Sequence, residues 1–96
     1  MHAVTVTVDI EADQLDNASM ELQERVVPTV SQSPGFVAGY WLHPQTSGGG
    51  PLKGSSLILA ESREAVDGMA AMARSAPTPP GVTITEVTVH EVIAHA

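Results

Sequence analysis

Residues 36–43 contain all three aromatic side chains of the chain, followed by a histidine, and they are the strongest candidates for chemistry. Trp41 and His43 are two residues apart on a predicted strand, so they share one face, while Tyr40 points to the other. An indole can stack on an aromatic ligand, and an imidazole can accept a proton near neutral pH. The alternative is structural: Trp41 would fill a dimer core, and His43 would lie in solvent at the strand end.

Thr5 and Thr7 alternate with valines on the first predicted strand and are the next candidates. If the helices cover their side of the strand, the two hydroxyl groups line a pocket. Threonine is also a common strand former, so the pattern equally fits an ordinary core. Met69 could contact a bound group from a helix, although methionine at helical spacing is typical of core packing. The predicted ligand-binding residues are Thr5, Thr7, Tyr40, Trp41, His43 and Met69, and the catalytic residues stay undetermined.

Two segments look like known sites but lack the required spacing. His90 and His95 are five residues apart, whereas a zinc-protease helix carries its histidines four residues apart on one face. In the glycine-rich segment 48–55, Lys53 precedes Gly54, whereas a phosphate-binding loop needs Gly-Lys-Ser/Thr in that order. The chain also has no cysteine, which excludes thiolate nucleophiles and thiolate metal sites. The sequence therefore predicts no metal site.

The amino-acid composition limits the classes of molecule that the protein is expected to bind. The chain has 96 residues, 43% hydrophobic and 16% charged, which predicts one globular domain over residues 1–96. Eleven acidic residues against four scattered basic ones give a net charge of −7. Nucleic acids and anionic membranes are bound by clustered positive charge, so neither is a predicted partner. No signal peptide and no apolar run near the ~20 residues of a membrane span are visible, which predicts a cytoplasmic protein.

The elements that must position the candidates follow from the apolar periodicity. Alternating valines predict a strand over residues 3–11. Apolar residues three and four apart predict a helix over 14–32, with a kink where Pro28 removes a donor. Pro34 and Gly35 end that helix, and a second strand is predicted from Phe36 to His43.

The second half of the chain predicts a hairpin and another βα unit. Residues 44–53 form a predicted flexible loop, too short for a helical crossover, so strands two and three are antiparallel. A third strand over 55–61 precedes a helix that begins at its N-cap, Ser62, and ends near residue 75. A fourth strand is predicted over 82–94, with a bulge near residues 85–86, where the apolar phase changes.

This β-α-β-β-α-β order is that of a ferredoxin-like α+β fold with a four-stranded antiparallel sheet. Both helices cover one sheet face, and the other face needs a cover as well. Val4, Val6, Val8 and Ile10 are assigned to that uncovered face, where they form a patch larger than a monomer usually exposes. A homodimer with the sheets face to face is therefore predicted. A slip of one residue would exchange the valine and threonine sides of the strand.

The motif Ser33-Pro34-Gly35-Phe36, which opens the second strand, and His43-Pro44, which closes it, carry a family resemblance. With them, a chain of this length and element order resembles the dimeric α+β barrel superfamily, and within it the antibiotic biosynthesis monooxygenase group. The segment 61–65, leading into the second helix, adds to the resemblance. It implies a pairing of sheets and either cofactor-independent oxidation of polycyclic phenols or haem degradation. The alternative is a non-catalytic dimer that binds a ligand or serves as an assembly module.

The residues that such enzymes use are only partly matched here. The resemblance places their first-strand asparagine at Thr7 and their third-strand tryptophan at Ala60. Haem-binding members supply a histidine from the second helix, and this helix contains none. The resemblance thus favours a cofactor-independent monooxygenase and implies no cofactor. Trp41 and His43, selected from their own chemistry and spacing, are the residues expected to contact its substrate.

Overall fold

The computed structural model describes residues 1–43 and 52–96. Four antiparallel strands form one sheet in the order β2-β3-β1-β4. The strands are β1 (His2–Ile10), β2 (Phe36–Leu42), β3 (Leu52–Ala60) and β4 (Val82–Glu91). The ferredoxin-like α+β prediction and the antiparallel pairing of β2 with β3 are confirmed. Most of the predicted loop 44–53 lies outside the described residues, and its last two residues belong to β3.

Residues 12–31 form a continuous helical segment between β1 and β2. It comprises a 3-10 turn (Ala12–Gln14), α1 (Leu15–Glu21), a π-helical turn (Leu22–Val26) and α2 (Val27–Ser31). The disturbance predicted at Pro28 takes the form of this π-helical turn, in which the Val27 N–H donates to the Leu22 carbonyl five residues back. Proline lacks the N–H of an α-helical bond and crowds the carbonyl one turn earlier, so a wider turn before it relieves the conflict.

Helix α3 (Arg63–Ser75) begins where the sequence predicts. The Ser62 hydroxyl accepts a hydrogen bond from the Ala65 N–H at 3.1 Å, which confirms Ser62 as the N-cap. Gly35, at the start of β2, has a φ of 79°, and a Cβ there would lie 2.9 Å from the Ala65 Cβ. Glycine is thus needed both for the left-handed backbone and for the close approach of α3.

The predicted bulge in β4 is confirmed, and it consists of one extra residue. Ile84 pairs with Val8 and Glu86 pairs with Thr7, which leaves Thr85 as the extra residue. The Thr85 hydroxyl donates to the Thr7 carbonyl at 3.1 Å, so the bulged residue is tied to β1. The bulge lets apolar residues on both sides of it face the same side of the sheet, which explains the change of phase in the sequence.

The assignment of the valine side of β1 to the uncovered face is wrong. Val4 is 1% exposed and belongs to a core cluster with Val66 and Met69 of α3, so the valines face the helices. Thr5 and Thr7 therefore point to the opposite side, which we call the open face. The physical reason is that the helices bury the more apolar set of alternate residues, and the hydroxyl-bearing set is left where polar partners can reach it.

The two ends of the helix-facing side are covered to different extents. Helix α3 packs against β1, β3 and β4, and Val66 and Ala70 on its buried stripe are fully buried. The segment 12–31 makes its main contact with the sheet through α2 on β2. Small side chains let α3 approach closely, whereas α1 and the π-helical turn stand farther off. Among the described residues, no helix is both long enough and apolar enough to cross a membrane.

Candidate functional site

A cavity of about 290 Å³ lies between the sheet and the segment 12–31, and it opens to solvent. Its floor is the helix-facing side of the sheet, its roof is the segment 12–31, and its side wall is the end of α3 with residues 76–79. The floor includes Val6, Val8, Ile10, Trp41, Ser56 and Ile84. The alternate residues that the sequence analysis assigned to a dimer contact thus line an internal space.

Strand register explains which side chains share this floor. Val6 pairs with Ser56 of β3 and with Val87 of β4, and Ser56 pairs with Trp41 of β2. Paired residues in neighbouring strands point to the same side of a sheet. These four residues therefore form one row across the whole sheet, with a single hydroxyl between an indole and a valine.

Trp41 lies on the cavity side of β2, half-buried, and packs against the edge of the core cluster. A Cβ at Gly39 would lie only 2.7 Å from the Trp41 Cη2 atom, so the missing side chain at Gly39 makes room for the indole. The ring thus lies over the strand instead of standing away from it. Trp41 therefore lies on the side of the sheet opposite to the open face, and its role in a dimer core stays an untested alternative.

Gly54 supports the other end of the floor in a similar way. A Cβ at Gly54 would meet the Val8 Cγ2 atom at 2.8 Å and the Ile10 Cδ1 atom at 3.2 Å. The two β1 side chains therefore lean over β3 at a point where β3 has no side chain. This part of the floor is closed by hydrocarbon alone.

Charged and polar side chains are concentrated on the helical side of the cavity and near the end of β2. Arg25 lines the cavity, and its Nε donates to the Glu21 Oε2 at 2.9 Å, with both side chains about half exposed. The hydroxyls of Thr29 and Ser33 donate to helix carbonyls, at 2.7 and 3.4 Å. His43, exposed and just beyond β2, also lines the cavity. The cavity is therefore apolar at its floor, with its charged groups elsewhere on its wall.

The cavity brings together three of the six predicted ligand-binding residues: Trp41, His43 and Met69. Met69 is also part of the core cluster, so it closes the cavity toward α3. The other three, Thr5, Thr7 and Tyr40, lie on the open face. On that face the Thr5 Oγ1 lies 2.8 Å from the His90 Nε2. A ligand role for these three residues stays a prediction, and it would need a site other than this cavity.

The two positions that the family resemblance places at Thr7 and Ala60 do not contribute side chains to the cavity. Thr7 faces away from it, and the neighbouring positions on the cavity side are Val6 and Val8. Ala60 is fully buried in the core cluster. Helix α3 contributes methionine and alanine to the cavity and contains no histidine. The residues of α3 thus do not fit the histidine ligation that haem degradation would require, and no step is derived through a haem.

Ser56 and Arg25 also line the cavity, although the sequence pattern did not indicate them. Ser55 and Ser56 both border the cavity, and only the pairing of β3 shows that the Ser56 side chain faces it while the Ser55 side chain points to the open face. Arg25 was treated as one scattered base among four. Its spacing of three from Leu22 and of four from Thr29 and Glu21 would have placed it near the buried stripe of the helix.

The open face is divided into an apolar half and a polar half. Tyr40 and Leu57, from β2 and β3, are 55% and 37% exposed, and they lie in one row with Thr5 and Thr88. Leu42 adds one more exposed apolar side chain from β2. The β1–β4 half carries hydroxyl and charged groups instead. The apolar part of this face thus extends to the β2 edge of the sheet, and the polar part extends to the β4 edge.

No protein-family model matches the chain, and no curated protein matches it. Solved structures match over almost its whole length. The heme degrader MhuD from Mycobacterium tuberculosis, with two hemes bound in its active site, is 20% identical with a TM-score of 0.69, covering 100% of this chain and 99% of that one.

Two further structures match nearly as fully. A monooxygenase from the gene ActVA-Orf6 of Streptomyces coelicolor, in complex with the ligand nanaomycin D, is 11% identical with a TM-score of 0.59, covering 99% of this chain and 89% of that one. A dimeric ferredoxin-like protein from an uncultured marine organism is 12% identical with a TM-score of 0.61, covering 99% and 97%. These matches confirm the resemblance to the monooxygenase group at the level of the fold.

Proposed function

We propose that the protein binds a small apolar or aromatic molecule in the cavity beneath the segment 12–31 and oxidises it without a cofactor. The observation that carries this proposal is the solvent-open cavity whose floor combines the valine side of β1 with Trp41. Ligand sites are typically concave and mostly apolar, with few polar groups. The monooxygenase and the heme degrader of similar fold add support by analogy alone.

In such a reaction each cavity residue has a simple task. The valines of the floor exclude water from the ligand, and the Trp41 indole offers a surface for stacking. His43 accepts a proton from an acidic ring CH₂ of the substrate. The electron-rich substrate itself reduces dioxygen: the CH₂ becomes a carbonyl, one oxygen atom stays in the product, and the other leaves as water with the two hydrogens.

Oxygen uptake with a dihydroxyanthrone, the keto form of a hydroxylated anthracene, tests this proposal. The double variant Trp41→Phe/His43→Ala is compared with His90→Ala, which removes an exposed imidazole on the open face. We expect the cavity variant to lose about 100-fold in rate, as for removal of a general base, and the open-face variant to keep the wild-type rate. Equal rates in the two variants would end the enzymatic proposal.

A non-catalytic ligand-binding role is the second candidate. It is favoured because several polar groups of the cavity wall already have hydrogen-bond partners. Arg25 is paired with Glu21, and the hydroxyls of Thr29 and Ser33 are bound to helix carbonyls. Few groups in the cavity are therefore left to move protons. Saturable binding of the anthrone with no oxygen uptake above the uncatalysed rate would support this candidate over the first.

We also propose that two chains pair through the open face. Three exposed apolar side chains, Tyr40, Leu42 and Leu57, come from its β2–β3 half. An apolar patch of this kind on a small domain is typical of a contact surface, and a protein of similar fold is dimeric. In this arrangement both cavities remain open, because each cavity lies on the side of its sheet that faces away from the partner chain. The cytoplasmic location stays a prediction.

A further inference from the structure

We infer that Ser56 selects the ligand: it favours an apolar molecule of up to three fused rings that carries a hydroxyl or carbonyl oxygen at the edge facing the sheet. This inference rests on the proposed ligand-binding function and adds to it a specificity-determining residue. It also limits the ligand class by size and by one hydrogen bond.

The position of Ser56 is exceptional within the floor. Its neighbours in register are Trp41 and Val6, and its neighbours on the same side of β3 are Gly54 and Ile58. Ser55 is the other strand serine near the cavity, but it pairs with Thr7 and Leu42, and its side chain points to the open face. In the described part of the chain, Ser56 is thus the one hydroxyl that the sheet directs into the cavity.

The Ser56 hydroxyl is also available to a ligand. Within residues 1–43 and 52–96, it has no hydrogen-bond partner. The hydroxyl is also accessible to solvent. Ser56 is only partly buried, and in the described part of the chain its oxygen is not one of the buried side-chain atoms that lack a hydrogen-bond partner. Water can therefore satisfy this hydroxyl while the cavity is empty, and a ligand that displaces the water must replace its hydrogen bond.

A single polar group in an apolar floor discriminates strongly between similar ligands. A molecule with an oxygen opposite Ser56 restores the lost hydrogen bond, whereas a hydrocarbon of the same shape leaves the hydroxyl desolvated and unpaired. A cavity of about 290 Å³ lies at the small end of ligand sites. Molecules of up to three fused rings therefore match its size, and the oxygen sets their orientation beside the Trp41 indole.

Equilibrium dialysis with 2-naphthol and 2-methylnaphthalene tests the inference, because these probes differ only by a hydroxyl in place of a methyl group. The measured quantity is the ratio of the two affinities, which cancels any general change of cavity shape. We expect Ser56→Ala to lower the naphthol preference by about fivefold, the usual effect of one neutral hydrogen bond. Ser55→Ala, the matched control on the open face, should leave the ratio unchanged. Ser56→Cys, which fills the position with a slightly larger side chain that donates only weakly, should behave like Ser56→Ala.

The outcomes separate this inference from the proposed function. If both probes bind but Ser56→Ala keeps the wild-type ratio, the role of Ser56 is overturned while ligand binding stands. If neither probe binds the wild-type protein, both the role of Ser56 and the proposed ligand-binding function fail. Following the Trp41 indole N–H by NMR during each titration locates the bound probe, since this is the one tryptophan of the chain.

Discussion

The two faces of the sheet use the same strands for different purposes. On β1, the even-numbered residues from Val4 to Ile10 are three valines and an isoleucine that meet α3 at one end and the cavity at the other. The odd-numbered Thr5 and Thr7 face the side without helices, next to the exposed Tyr40 and Leu57. The helix-facing side is thus covered but incompletely filled, whereas the open face is filled with side chains but uncovered. A void inside suits a small ligand, and a bare apolar surface suits a second chain.

The cavity exists because the two helical segments approach the sheet differently. Val66 and Ala70 of α3 are fully buried against the strands, so that end is packed. The segment 12–31 has a π-helical turn before Pro28 and contacts the sheet mainly through α2. Such turns are frequent at functional sites because they displace part of a helix from its regular path. Which helix covers a valine therefore decides whether that valine belongs to a core or to a cavity floor.

The largest effect is expected on the open face. Leu57→Glu places a charge at the centre of the proposed contact between chains, and burying an unpaired carboxylate weakens association by more than about 100-fold. Light scattering should give twice the 10.0 kDa chain mass for the wild type and the single-chain mass for the variant. Met20→Glu, the same kind of change at an exposed helix position, should remain dimeric. A wild-type protein of 10.0 kDa at micromolar concentration would contradict the pairing.

The next largest effect is expected on the helix-facing side. Val4→Ala removes two methyl groups from the core cluster and should lower the free energy of unfolding by about 2 kcal/mol. Thr5→Ala, one residue later on the open face, loses a contact with the exposed His90 and should cost less than about 1 kcal/mol. Urea titrations at one protein concentration measure both values. Equal losses of unfolding free energy in Val4→Ala and Thr5→Ala would contradict the difference in packing between the two faces.

The smallest effect concerns how tightly the cavity floor is packed. Gly54→Ala puts a methyl group 2.8 Å from Val8 and should destabilise the protein by about 1 to 2 kcal/mol. Gly68→Ala is the matched control, because no atom lies within 4 Å of that position on α3. There the substitution should stabilise the protein by about 0.5 to 1 kcal/mol, since alanine favours the helix. A neutral result at Gly54 would mean that Val8 and Ile10 move easily and that the floor is loose.

The sequence by itself determined the element order, the N-cap at Ser62, the bulge near Thr85 and the disturbance at Pro28. Each depends on residues close together in the chain: alternation, capping chemistry or a missing N–H, all of which are local. It also singled out Trp41 and His43, because their spacing of two fixes a common side of the strand.

Only the tertiary structure decided which side of each strand the helices cover. A shift of one residue exchanges every alternate side chain, and the valine and threonine sides of β1 are both compatible with a strand. The structure therefore placed Val6 and Val8 over a cavity, moved Thr5, Thr7 and Tyr40 to the open face, and distinguished Ser56 from Ser55. These outcomes depend on contacts between residues far apart in the chain, and no local pattern contains that information.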